Sequence, residues 1–275
     1  MESLNGCDEP IYNTVRTSFW KKKVAACNLN DDEFAIPLFV YYDDFEPLNA
    51  LGSHSSAYKL GGVYVNIPCI PPHVQAQLQF IFLAMLFFTS DSAVYGNGKV
   101  FAPLIQQLNK LLTEGVPIVH ETYKRVKFIS VLLIGDNLGL NSMMSFSAGF
   151  NAYYFCRFCR NPKLNTKKVV TEDTEMLRTV ENYKADCNRK SFKSTGIKEN
   201  SVWNDLLQFH VANNRSADTL HDFLEGLLKL VVLQLLKKLI FVRNYFSIAT
   251  FNKRRNNMTF ASTFARWNRI RILVY

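Results

Sequence analysis

At 275 residues, 48% hydrophobic and 20% charged, the chain carries enough apolar material for a sizeable core, which excludes a disordered polymer. The length allows one large domain, or one domain with an insertion, and the net charge of +9 favours a polyanionic partner, nucleic acid above all. Of six cysteines only Cys156 and Cys159 are close together, so a disulfide framework is excluded and a reduced intracellular compartment is expected. Met1 to Asp8 is polar and has no apolar h-region, so no signal peptide is expected. The run from Phe80 to Phe88 is too short to span a bilayer, and Leu227 to Val242 is broken by Lys229, Gln234, Lys237 and Lys238; no membrane partner is expected.

In chain order, residues 1–32 are polar and mixed, with the cluster Lys21-Lys22-Lys23, and read as an N-terminal arm. Phe34 to Tyr42 is rich in aromatic and β-branched residues and predicts a buried strand that ends in Asp43-Asp44. A turn-rich stretch follows, then a second strand over Tyr58 to Ile67, stopped by Pro68, Pro71 and Pro72. His73 to Phe88 reads as a helix, almost wholly apolar on one side. Phe101, Leu104, Ile105, Leu108, Leu111 and Leu112 recur at helical spacing, with Gly115 placed to cap that helix. Val126 to Ile134 is a continuous apolar strand of the kind found in the middle of a sheet; Gly135 then allows a close turn and Asp136 sits at the strand's end. Residues 138–150 read as a helix. After Cys156-Arg157-Phe158-Cys159 the stretch 160–200 turns polar and charged, as an excursion outside the core would. Ser216 is placed to cap a long helix reaching about Phe241. The expected divisions are a polar arm (1–32), the first part of an α/β core (33–155), a cysteine-knuckle insertion (156–215), and a long helix with a basic tail (216–275).

Two carboxylates at neighbouring strand ends can hold a pair of magnesium ions, which need hard oxygen donors and no histidine. Asp43 and Asp136 are the chosen pair, with Asp44 as the neighbouring alternative, because strand alternation turns only one of Asp43 and Asp44 to a given face. The structural alternative is that such aspartates simply begin turns. Two thiolates at the Cys156-x2-Cys159 spacing chelate one zinc, with His210 and His221 as the nearest further donors and Cys187 as a spare. Arg157 and Arg160 either touch phosphate or sit in a solvated loop. Asp218, His221, Asp222 and Glu225 fall at i, i+3, i+4 and i+7, one face of an α-helix, although acids near a helix start are also favoured by its dipole. After Glu225 the chain has ten cations and no anion, a composition suited to tracking phosphates.

Several stretches together resemble the transposases of CACTA-type (En/Spm-like) DNA transposons, and still more the transposase-derived proteins of animal genomes. They are Asp43-Asp44-Phe45-Glu46-Pro47-Leu48-Asn49 with Leu51-Gly52-Ser53, Asn66 to Pro72, Phe101 to Leu108, Gly135-Asp136-Asn137-Leu138, Phe155 to Cys159 and Asp218 to Glu225. The resemblance spans about residues 34 to 252 in order. It implies an RNase H-like (DDE transposase) core with a zinc-knuckle insertion, cut-and-paste strand transfer with Mg2+, structural Zn2+, double-stranded DNA as partner, self-association into a homo-oligomer, and a nuclear location. Carried over residue by residue, it places Asp43 and Asp136 as catalytic acids and Glu225 as the third. It places Cys156 and Cys159 on zinc and matches the later Asp-x2-His to Asp218 and His221; with His221 as the third ligand, the fourth is Asp218 or His210, the latter offered by the residues alone. No acid follows Glu225, and Ala261 to Tyr275 departs from the pattern, so a truncated protein with an incomplete acid triad is expected. The alternative from another class is a non-enzymatic zinc-stabilised DNA-binding or protein-interaction module, or a non-functional transposon fragment.

Overall fold

A computed structural model of the chain describes residues 14–47, 58–75, 77–119, 123–166 and 168–257. The sequence's two best strand candidates are neighbours in it. Strand β1 (Glu33–Phe45) runs parallel to β5 (Tyr123–Gly135), with Tyr42 opposite Gly135. On its other side β1 pairs antiparallel with β2 (Leu60–Asn66), which pairs antiparallel with β3 (Ile81–Phe88); β4 (Val116–Val119) forms a hairpin partner for the first half of β5. The order is β3-β2-β1-β5-β4, a mixed five-stranded sheet in an α/β chain. Asp43 and Asp44 lie inside β1, opposite Gly62 and Gly61, so the strand outlasts its apolar run by three residues.

Helix α1 (Ser18–Ala25) precedes β1, and between the later strands lie α2 (Pro72–Gln75), α3 (Thr89–Tyr95) and α4 (Asn97–Thr113), the last two separated by Gly96. The periodicity behind α4 holds: Phe101, Leu104, Ile105, Leu108 and Leu112 are all buried, and Gly115, at φ +65°, takes the left-handed turn that ends the helix. A Cβ on Gly115 would meet the Val126 carbonyl at 2.6 Å, so backbone shape and space both call for glycine. In the stretch read as an N-terminal arm, α1 instead packs by Trp20 against Leu112, Ile129 and Val131.

The helix expected over His73 to Phe88 is corrected. Only Pro72–Gln75 is α-helical, one 3₁₀ turn (Leu78–Phe80) follows, and Ile81 to Phe88 is the strand β3. An unbroken apolar run carries no period, so periodicity could not choose between the two, and pairing with β2 decided it. The helix expected to reach residue 150 is α5 (Asn137–Met143), ending where Ser145 takes φ +64°.

The polar stretch after the knuckle contains α6 (Lys163–Thr166), α7 (Val180–Asn188) and α8 (Phe192–Thr195). It does not stay outside the core. Tyr183 and Ile197, and beyond them Trp203, Leu206 and Phe209, are buried in the same cluster as Val40 and Leu133. The chain then returns along β5: the Leu133 N–H donates to the Asn214 carbonyl at 3.2 Å, the Asn214 side-chain amide to Val131 O at 2.7 Å, and Ser216 Oγ to Leu133 O at 2.8 Å.

Contacts divide the chain after Ala217. The second unit is a helical run of three segments, Thr219–Leu228 and Lys238–Val242 of π type on either side of α9 (Lys229–Lys237), then α10 (Ile248–Asn256). Its N-cap is Asp218 rather than the expected Ser216, whose hydroxyl is held by β5. No described helix is long and apolar enough to cross a membrane.

Candidate functional site

The parallel pairing of β1 and β5 places the ends of both strands together, and there an open cleft of about 420 Å³ forms. Asp44 and Asp136 both line it, with Lys59, Thr89, Ser92 and Asn97. Tyr42 points to the core and takes Asp44 with it, two residues on, to the same side of the strand. Asp43 is exposed and accepts a hydrogen bond from Tyr41 Oη at 3.3 Å, its neighbour on the opposite face. The cleft therefore holds the neighbouring alternative, Asp44, where Asp43 was the first choice. Asp44 Oδ1 is 2.7 Å from Lys59 Nζ.

Asp136 is the N-cap of α5, and its Oδ1 accepts the Gly139 N–H at 2.6 Å. Two glycines make room for this. A Cβ on Gly135 would lie 2.6 Å from the Tyr42 carbonyl, and one on Gly139 would lie 2.7 Å from Asp136 Oδ1 and 2.9 Å from the Tyr42 ring. Burial, and after it the charges of Asp44 and Asp136, hold the Tyr42 hydroxyl well above its usual pKa, so it stays protonated.

Cys156 and Cys159 form a closed turn. Cys156 Sγ accepts the N–H groups of Phe158 at 3.3 Å and Cys159 at 3.4 Å. The Cys159 thiol donates to it as well, so the Cys156 thiol is pulled down and the Cys159 thiol pushed up, one proton serving two sulfurs. Residues 158–160 pair with 176–178, through Arg178 N–H to Phe158 O at 2.9 Å and Arg160 N–H to Met176 O at 2.8 Å. Beneath the turn Asp186, 2% exposed, accepts from Arg160 at 3.0 Å and Arg178 at 3.4 Å.

The other proposed zinc donors are used in other ways. His210 Nδ1 accepts the Ala212 N–H at 3.0 Å and its ring stands edge-on to Tyr183; burial, then Lys184, lowers its pKa. In the second unit the Asp218 carboxylate caps the His221 N–H at 3.1 Å and holds His221 Nδ1 at 2.7 Å. A ring held at Nδ1 by a carboxylate presents Nε2 as its donor, so Asp218 orients His221. Glu225 is exposed on the π segment, where the wider winding no longer stacks i, i+3, i+4 and i+7 as an α-helix would. Among the described residues no three His, Cys, Asp or Glu side chains gather to hold a metal ion.

No protein-family model and no curated protein matches the chain.

Arg157 lies in neither of the two settings expected for it, phosphate contact or solvated loop. It is 3% exposed and donates to Asn137, Asn141 and the Ser216 carbonyl. No sequence signal marks it, or Asp186, because both roles arise from segments that meet only in the fold. Asp44 could have been found from Tyr42, whose aromatic side chain two residues earlier is buried. Of the tail's cations, Lys253, Arg254 and Arg255 stand in the last turn of α10; Arg266, Arg269 and Arg271 lie outside the described residues.

Proposed function

We propose that the chain is a transposase-derived protein with an RNase H-like core whose acid site holds one divalent cation weakly and is incomplete for DNA strand transfer. The observation that carries this reading is the convergence of Asp44 and Asp136 on one cleft from the ends of two parallel, adjacent strands. Shared metal ligation needs carboxylates so placed. The donor set fits a hard cation: two carboxylates with hydroxyl and amide oxygens beside them. It does not fit a two-metal clamp, since no third acid joins the pair among the described residues. Such a cation, when bound, would polarise a phosphate oxygen or a water; Asp44 and Asp136 would hold it, and Lys59 would have to release Asp44 for it to enter. For zinc, the knuckle supplies two sulfur donors, fewer than the four of a tetrahedral site, and among the described residues no group of three or more metal-ligating side chains forms.

The test is manganese binding followed by electron paramagnetic resonance, run beside a supercoiled-plasmid nicking assay in Mg2+. The expected result is millimolar binding, lost in Asp136→Asn, with no cleavage above background. Binding that ignores Asp136→Asn would overturn the metal cleft, and efficient cleavage would overturn the incompleteness. The second reading, a non-enzymatic DNA-binding module, is favoured by the three consecutive cations Lys253, Arg254 and Arg255 on α10 and by the net charge of +9.

A further inference from the structure

Arg157 belongs to the cysteine turn by sequence, but its guanidinium is spent elsewhere. The turn is fixed by the two N–H groups that Cys156 Sγ accepts, and this aims the Arg157 side chain inward, over the Phe158 ring at 4.8 Å. One nitrogen then donates to Asn137 Oδ1 at 2.7 Å and Asn141 Oδ1 at 3.3 Å, and the other to Ser216 O at 2.7 Å. Asn137 is the first residue of α5, directly after the Asp136 cap, and Asn141 lies one turn on, tied by its amide to Ser147 O at 2.9 Å and Phe155 O at 3.2 Å. One planar cation thus clamps both ends of the helical turn that carries the cleft's Asp136–Gly139 bond.

We infer that Arg157 is a positioning residue that couples the cysteine turn to the Asp136 carboxylate. The fork geometry is the reason it must be arginine: lysine keeps the charge but is a point donor that cannot reach two asparagines and a carbonyl from fixed directions. When the turn loosens, the guanidinium loses its aim, the first turn of α5 frays, and Asp136 Oδ1 releases the Gly139 N–H. A change at the sulfurs therefore reaches the cleft through a side chain, and this holds whether or not the cleft binds a metal.

The Gly139 amide reports the coupling directly, through hydrogen exchange measured by NMR on the full chain. The Leu108 amide of α4, in the same unit, serves as the measure of general opening. Relative to Leu108, Arg157→Lys and Cys156→Ala should each speed Gly139 exchange about tenfold, a local rather than global opening. The double variant should be no faster than either single one, because both act on one path. Gly139 and Leu108 accelerating in step would reduce Arg157 to a general stabiliser, and effects that multiply in the double variant, or no effect, would also overturn the coupling. Should Arg157→Lys not fold, Asn137→Ala removes the same 2.7 Å bond from the cleft side and carries the same expectations.

Discussion

A pleated strand presents alternate residues to opposite faces, so Tyr42 in the core carries Asp44 to the cleft and leaves Asp43 outside with Tyr41. Asp44→Asn should therefore weaken manganese binding by about tenfold while Asp43→Asn leaves it unchanged, the effect expected when one of two carboxylate ligands loses its charge. Equal effects of the two variants would show that the cleft does not distinguish the strand's faces. At Lys23 the consequence is in pH. Its ammonium is buried and donates to the Gln208 carbonyl; burial pulls its pKa from 10.5 to about 8. Between those values the unfolded chain binds more protons than the folded one, so this group makes stability rise with pH across about 8 to 10.5. Urea midpoints at pH 8 and pH 10 should show that contribution in the wild type and its loss in Lys23→Met. A pH dependence identical in the two proteins would refute it. Glycine adds a third case: Gly196 has φ +71°, and a Cβ there would sit 2.0 Å from the Tyr154 carbonyl. Gly196→Ala should destabilise by about 2–4 kcal/mol, read as a lower thermal midpoint.

At the scale of elements, β3 stands at the end of the described sheet with an uncharged sequence, and Phe82, Leu83, Leu86 and Phe88 are all about half exposed. Its sequence carries neither a lysine nor a proline to guard the edge, and its pairing with β2 is interrupted by one register shift, between Val63 and Tyr64. The chain should self-associate with rising concentration, and Leu83→Lys should suppress this in light scattering with little change in the thermal midpoint. Association that survives Leu83→Lys unchanged would move the sticky surface elsewhere. The same strand shows where reading by element met its limit. Elements with a clear period, α4 above all, were legible, as were the β-branched strands β1 and β5. Ile81 to Phe88 was not, because a run with no polar residue has the same pattern in either conformation.

Over the whole molecule, the charge of +9 and the cations of α10 predict weak, sequence-independent binding to duplex DNA, with an affinity that falls steeply with salt. Deleting residues 253–275 should lower both the affinity and the salt slope in a fluorescence-anisotropy titration, whereas Asp136→Asn should leave binding intact. Salt-independent binding, or full strength after the deletion, would leave the positive charge as a solvated surface. Cys156 and Cys159 belong to the first compact unit, and the Asp218–His221 pair belongs to the second.

The sequence by itself determined the α/β alternation, the helix of α4, the two strands that carry acids, and the turn at Gly135 with its aspartate, because all of these are local: propensity, period and turn chemistry act within a few residues. It also showed that Cys156 and Cys159 lie close enough to share a turn. Only the tertiary structure decided that β1 and β5 are parallel neighbours, that Asp44 enters the cleft, that the polar stretch after the knuckle lends Tyr183 and Ile197 to the core, and that Arg157 is buried against Asn137. These facts depend on which surfaces meet. A buried arginine must find its acceptors, and a strand its partner, among residues 16 to 93 positions away; nothing in either segment alone encodes the meeting.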